Sequence, residues 1–295
     1  MAAQSSGRRS PQHPTGAYVY GIFPADIKLA RDLAGVGDPP GELRIVRGDG
    51  LLAALVSTVR LDQLLGSPDD LTAHQQILDA CAAGAPVLPV RFGAVLTDDQ
   101  AVVAELLAPN HHEFAAALRE LEDTAQFVVK GRYDERLVLA EVLADYREAA
   151  ELQERIKDAD PDATSDLRIR LSEIIGDGVA ARRQADTWSL GERMEGHCAA
   201  SVVREPRHEL DAVNVAFLLR LGQEKELRDV IDDLTGDWQG RVELRVLGPM
   251  AAYDFVGIPA EAAKGPDFYQ ASAHHARRFD LDEGCGEVVG DGRRR

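Results

Sequence analysis

Short apolar runs alternate along this chain with longer segments whose apolar positions recur every three or four residues. That is the pattern of strands interleaved with amphipathic helices. Residues 17–23 are aromatic and β-branched and predict a strand that Pro24 ends. A short helix is expected over 27–34 and a loop over 35–41. Residues 43–47 and 51–58 flank Gly48-Asp49-Gly50, a hairpin signal in which glycine supplies positive φ. Residues 51–56 are almost wholly apolar, as in a strand covered on both faces.

Ser67-Pro68-Asp69-Asp70 starts a helix, with Ser67 as N-cap, proline at the first helical position and Asp70 as the acidic N3 residue. Its apolar face carries His74, Ile77, Leu78 and Cys81, and Gly84-Ala85-Pro86 ends it. Val87-Leu88-Pro89-Val90-Arg91-Phe92-Gly93 follows, apolar but for one arginine. Pro89 cannot donate to a ladder, so this piece reads as a strand start, an edge or a bulge, and Gly93 permits a bend. Arg91 has two readings, a paired buried guanidinium or a solvent-facing one. The expectation taken forward is a structural tie to a carboxylate or to carbonyls, with Arg91→Ala costing roughly 3–5 kcal/mol. Helices over 98–107 and beyond Pro109 present Val102, Val103, Leu106, Leu107, Phe114, Leu118 and Leu121 inward.

A second series begins with a strand at 126–130. Leu139, Val142, Leu143, Tyr146, Ala149 and Ala150 then form one apolar stripe, broken at Asp160-Pro161-Asp162. A further helix starts near Ser165, weakened by Gly176 and Gly178, so an antiparallel helical hairpin is expected. Residues 188–207 have no clear period. Residues 213–221 predict a central strand, 224–234 a helix with Leu227, Val230, Ile231 and Leu234 inward, and 241–247 a strand with one wet face.

The expected fold class is α+β in two domains, an N-terminal α+β domain and a C-terminal modified ferredoxin-like domain with an extended helical insertion. The boundaries read as a disordered tail over 1–16, domains over 17–124 and 125–256, and a flexible tail over 257–295.

Composition narrows the function. The 295 residues are 45% hydrophobic, as in a globular protein, and no apolar run reaches the roughly 18 residues of a membrane span. A formal net charge of −17 argues against broad contact with nucleic-acid phosphates and suits a basic partner. Cys81, Cys198 and Cys285 are scattered and odd in number, which fits a reducing cytosol. No phosphate-binding glycine loop, dinucleotide fingerprint or nucleophile elbow is present. His111-His112, His274-His275 and His197-Cys198 are adjacent, so on a helix they diverge, which is poor ligand geometry. His74 reads as a core histidine holding one hydrogen bond, since no second ligand-type residue stands at metal spacing.

Several motifs occur in one order: Tyr18-Val19-Tyr20-Gly21-Ile22, His74, Leu88-Pro89-Val90-Arg91-Phe92-Gly93, Val128-Val129-Lys130, and Leu247-Gly248-Pro249 with Tyr253 and Phe255. Over residues 17–256 this set resembles the gas vesicle protein F/L family (GvpF/GvpL). Where that family usually carries two prolines and a serine, this chain reads Gly248-Pro249-Met250-Ala251-Ala252-Tyr253-Asp254-Phe255. The resemblance implies a gas vesicle accessory protein, in the cytoplasm and at the vesicle, that binds the small hydrophobic shell protein and other accessory proteins. It implies no enzyme activity, no cofactor or metal, no small-molecule substrate, no nucleic acid and no membrane. A small-molecule-binding or enzymatic protein built on the ferredoxin-like half, or a regulatory binding module, are the other classes. The structural or partner-binding residues expected are His74, Arg91, Phe92, Val142, Tyr146, Gly248, Pro249, Tyr253 and Phe255. The stripe of Leu139, Val142 and Tyr146 has two readings, one in which the helices cover each other and the sheet, and one in which part of it stays open as a groove for an amphipathic segment. Pro249, Tyr253 and Phe255 would close the second domain.

Overall fold

The computed structural model describes residues 13–28, 33–48, 50–160 and 162–256. The expected tails fall largely outside these, as do residues 29–32 of the helix expected over 27–34. The chain forms a mixed α/β architecture with two antiparallel sheets in two compact units. The described part of one unit comprises residues 13–123 and 250–256, and the other residues 124–249.

In the first unit β1 (Thr15–Pro24), β2 (Leu43–Arg47) and β3 (Leu52–Arg60) form the sheet with two short strands, β4 (Leu88–Pro89) and β5 (Val95–Leu96). The order is β2-β3-β1-β4, and β5 pairs with β1 beyond β4. The hairpin at Gly48 and Gly50 joins β2 to β3 with Arg47 opposite Ala53, and Gly50 has φ +100°. β1 and the apolar run of β3 are buried on both faces. Helix α1 (Pro68–Ala82) sets Ile77, Leu78 and Cys81 against Tyr18, Tyr20, Ala53 and Leu55. The start signal forms a full capping box, and Asp70 Oδ1 also accepts the Gly37 N–H at 2.8 Å. A three-residue helix α2 (Asp99–Ala101) runs into a π-helical turn, Val102–Leu107, and α3 (His111–Glu120) follows.

In the second unit β6 (Thr124–Tyr133), β7 (Ala200–Val203), β8 (Asp211–Arg220) and β9 (Val242–Met250) are ordered β7-β8-β6-β9. Helices α4 (Glu135–Asp145), α5 (Arg147–Ile156) and α6 (Ser165–Met194) connect β6 to β7, and α7 (Glu224–Asp237) connects β8 to β9. One core joins Val138, Val142, Val179, Leu190, Leu227, Ile231 and Leu234 from these helices to Phe127, Val129, Val215 and Phe217 of the sheet.

Two expectations change here. The apolar stripe of 139–150 is not one helix, because Tyr146 leaves helical geometry (φ −107°, ψ 93°) between α4 and α5. Helix α6 runs unbroken for 30 residues, through both glycines and into the stretch that showed no clear period. Gly178 is there for space, since a Cβ on it would lie 2.8 Å from Val142 Cγ1 and 3.1 Å from Tyr146 Cε2. Its absence lets α4 approach α6 closely.

A buried ionic cluster fastens the same helices to the sheet. Arg241, just before β9, donates from Nη1 and Nη2 to both oxygens of Asp186 on α6, at 2.6 and 2.7 Å. Tyr133 at the end of β6 donates to the same carboxylate at 2.6 Å. The Arg241 guanidinium lies 5.6 Å from the Tyr133 ring centroid and 5.6 Å from that of Trp238. On α4, Glu141 accepts from Arg182 at 3.0 Å and lies 3.5 Å from Arg241. Burial pushes the Tyr133 phenol up, and the neighbouring Asp186 pushes it further. Removing one partner strands the others, so Asp186→Ala should cost about 3–5 kcal/mol in urea-induced unfolding.

Candidate functional site

The motif residues of the first unit converge on one place. The segment after α1 pairs with β1 twice. Pro89 lies opposite Gly21 in β4, and Val95 lies opposite Tyr18 in β5. Between these pairings residues 91–93 bow outward, with Gly93 at φ +92°. The edge or bulge read from Pro89 is therefore both: an outer strand interrupted by a turn.

In that geometry Arg91 takes the solvent-facing of its two readings. It sits on the outward turn, exposed, and is not buried inside the unit. The inward position belongs to its neighbour Phe92, whose ring centroid lies 5.8 Å from that of Tyr18 and 5.6 Å from that of His74. An outward bow between two pairings turns successive side chains in opposite directions, and the apolar one takes the covered side.

His74 is the hub. It is 5% exposed, stacks on Tyr20 at 5.6 Å and meets Tyr18 edge-on at 5.7 Å. Its Nδ1 lies 2.9 Å from the Tyr18 hydroxyl, and its ring also hydrogen-bonds the Val90 backbone. The Gly93 N–H donates to the same hydroxyl at 3.2 Å. One assignment satisfies every group: Gly93 donates to Tyr18, Tyr18 donates to Nδ1, and Nε2–H donates to the Val90 carbonyl. Two residues along β1, the Tyr20 hydroxyl accepts the Val36 N–H at 2.8 Å and shares a 2.8 Å hydrogen bond with Ser57. The polar tips are thus spent on backbone and on each other. The imidazole points into the protein, holding the 88–96 segment on β1.

The C-terminal motif divides. Gly248, two residues before the end of β9, has φ +137°, and a Cβ there would lie 2.7 Å from Phe127 Cδ1 and 2.8 Å from the Gln126 carbonyl. An open pocket of about 300 Å³ lies beside it, lined by Phe127, Leu227, Val246 and Gly248 with Glu224 and Arg228. Pro249 is half-buried next to it. Beyond Pro249 the chain belongs to the first unit, which corrects the expectation that Tyr253 and Phe255 close the second domain. Ala251 is fully buried in the core of Tyr18 and Leu78, and its N–H donates to the Asp79 carboxylate of α1 at 3.1 Å. A turn follows, leaving Phe255 half-buried and Tyr253 36% exposed.

The helical stripe is covered, as the first of its two readings has it. Val142 is fully buried beneath α6 and Leu139 is half-buried, so the stripe is occupied by the unit's own helices. Of that trio only Tyr146 reaches the surface, 36% exposed. The ionic cluster of Tyr133, Asp186 and Arg241 has no signature in sequence, since its members stand 53 and 55 positions apart.

Among the described residues no group of three or more histidine, cysteine, aspartate or glutamate side chains could hold a metal ion. No described helix is long and apolar enough to cross a membrane.

The family model for gas vesicle synthesis protein GvpL/GvpF matches residues 16–257. Gas vesicle protein F of a Streptomyces strain is 35% identical over 240 residues, covering 81% of this chain and 98% of the relative. Gas vesicle protein L of the same strain is 27% identical over 266 residues, covering 83% and 94%. The crystal structure of GvpF from Anabaena superposes with a TM-score of 0.69 at 22% identity, over 83% of this chain and 99% of that one. Fold and sequence together define a protein of the gas vesicle. The chain belongs to the GvpL/GvpF family.

Two predictions follow from the motif geometry. Burial pushes the His74 imidazole down to about 4, against the opposing hydrogen bond to Val90. A base whose folded pKa lies below its unfolded value takes its proton more readily when unfolded. Its contribution is therefore complete above pH 6.5 and is lost as the pH falls toward about 4. Wild-type stability should drop by about 3 kcal/mol more than that of His74→Gln over this window, measured by urea unfolding. For Gly248→Ala, positive φ and overpacking combine, and a loss of about 2 kcal/mol or more is expected by the same method.

Proposed function

We propose that this chain is an assembly accessory of the gas vesicle, acting in the cytoplasm and at the vesicle, where it binds the small hydrophobic shell protein and other accessory proteins. The observation that carries this reading is the family match across residues 16–257, with 35% identity to a relative named gas vesicle protein F. A shell subunit that exposes apolar surface before assembly needs a partner to cover it. The identity to protein F exceeds that to protein L of the same organism, 35% against 27%, which supports an F-type role.

A binding role also suits the inward-facing motif residues. His74, Tyr18 and Phe92 are devoted to holding a surface turn and not to a substrate cleft. We read the second unit as a modified ferredoxin-like domain. The order β7-β8-β6-β9, with α4–α6 and α7 as the two crossovers, supports that reading. The partner surface we favour includes Tyr253 and Phe255, a turn with aromatic side chains at the surface of the first unit.

The test is co-expression with the shell protein, followed by capture of the tagged chain. The shell protein should be retained by wild type and reduced several-fold with Tyr253→Asp, at an unchanged circular dichroism spectrum. Loss of retention from wild type itself would overturn the proposal, and full retention by Tyr253→Asp would move the surface elsewhere.

A further inference from the structure

β9 is the outermost strand of the second sheet, and among the described residues no strand pairs with its far edge. No backbone of a described loop or helix bonds to residues 242–248 from outside the sheet. Its inner face, Val242, Leu244 and Val246, packs on the core. Its outer face carries Glu243 and Arg245, with side chains 65% and 73% exposed, which pair with each other across one intervening residue at 2.6 Å. Open edges of this kind are templates for another strand unless something blunts them. Here Pro249 blunts only the last turn of the strand.

The charge order on this edge is self-complementary. We propose that β9 is a self-association surface, in which two copies of this chain pair antiparallel through their β9 edges about a two-fold axis at Leu244. In that register Glu243 of each copy faces Arg245 of the other, and Val242 faces Val246. Both cross-strand ion pairs form at once, exchanging partners with the pair within each chain, and each cross-strand pair is in the range of about 0.2–1 kcal/mol. Neighbouring registers are worse. Centring on Glu243 sets it against its own copy and sets Arg245 against Arg241. Centring on Arg245 sets two guanidinium groups face to face. The same two residues therefore attract in one register and repel in those beside it, which is what register selection requires. A symmetric pairing of this type closes on itself and stops at a dimer. The self-complementary charge order is the reason to assign the edge to a second copy of this chain. This inference stands apart from the shell-protein proposal, since it is read without any partner present.

Sedimentation velocity on the full chain at low salt, over a concentration series, provides the test. Wild type should shift from monomer to dimer as concentration rises. Glu243→Arg and Arg245→Glu should each weaken association by about tenfold, because each turns two attractions into two repulsions. The double variant Glu243→Arg/Arg245→Glu restores both attractions and should return to wild-type association. Thermal melts should be alike for all four proteins, because both side chains are exposed. A wild type that stays monomeric throughout, single reversals that leave the dimer unchanged, or a double variant that is folded yet fails to recover would overturn the inference.

Discussion

The first unit depends on the requirement that a buried polar tip find a partner. Tyr18, Tyr20 and His74 bring two hydroxyls and an imidazole into a core that is otherwise largely aliphatic, with Phe23 and Cys81. Each unpaired group there would cost about 1–3 kcal/mol. The structure meets the requirement with backbone: Val36 from one segment, and Val90 and Gly93 from another, come to these three side chains. That is why two tyrosines two residues apart on one strand, a histidine on the next helix and a glycine on the outer turn appear together. They form one hydrogen-bonded set, and the outward bow of 91–93 is the shape it imposes.

Much of this was legible in the chain itself, where local rules govern. The Ser67-Pro68-Asp69-Asp70 cap, the Gly48–Gly50 hairpin and the apolar runs of β1, β3 and β8 depend on residues close in sequence. Pro89 marked an outer strand because a missing donor leaves no other place for it. What could not be read was direction and distance. Whether Arg91 or Phe92 faces inward depends on where the strand is interrupted. Gly178 looked like a weakness in α6 because its benefit, the closeness of Val142, comes from another helix. Residues 251–253 looked like the end of the second domain because nothing local says which unit Ala251 will enter. The Asp186–Arg241 pair was invisible for the same reason.

The two units bury their polar residues by different means. In the first, neutral hydroxyls and an imidazole bind backbone, and the charged residue of the motif stays at the surface. In the second, a full ion pair is nearly enclosed, with Arg241 held by a bidentate carboxylate and two aromatic faces. The difference follows from what each arrangement must hold. A short outer segment can be tied by single hydrogen bonds. A long helix crossing a sheet needs an interaction that fixes both its rotation and its register, and a fork of two parallel bonds does that.

Helix α6 also draws a line through the second unit. At about 45 Å it is longer than the ten-residue strands it crosses, which extend about 33 Å. From Val179 onward it supplies Val179, Leu190 and Met194 to the main core, whereas Ile174, nearer its N-terminus, packs with Ala149, Leu152 and Ile156 in a small core of its own. Gly176 and Gly178 fall between the two, where helix propensity is lowest. One continuous helix therefore serves two cooperative blocks of unequal strength. The smaller can open while the larger stays closed, so backbone amides of α5 and the first turns of α6 exchange with solvent through local opening, at a lower free energy than those past Gly178. The boundary between rigid and yielding material lies inside a single secondary-structure element, at the point where the chain gave up its side chains to let two helices touch.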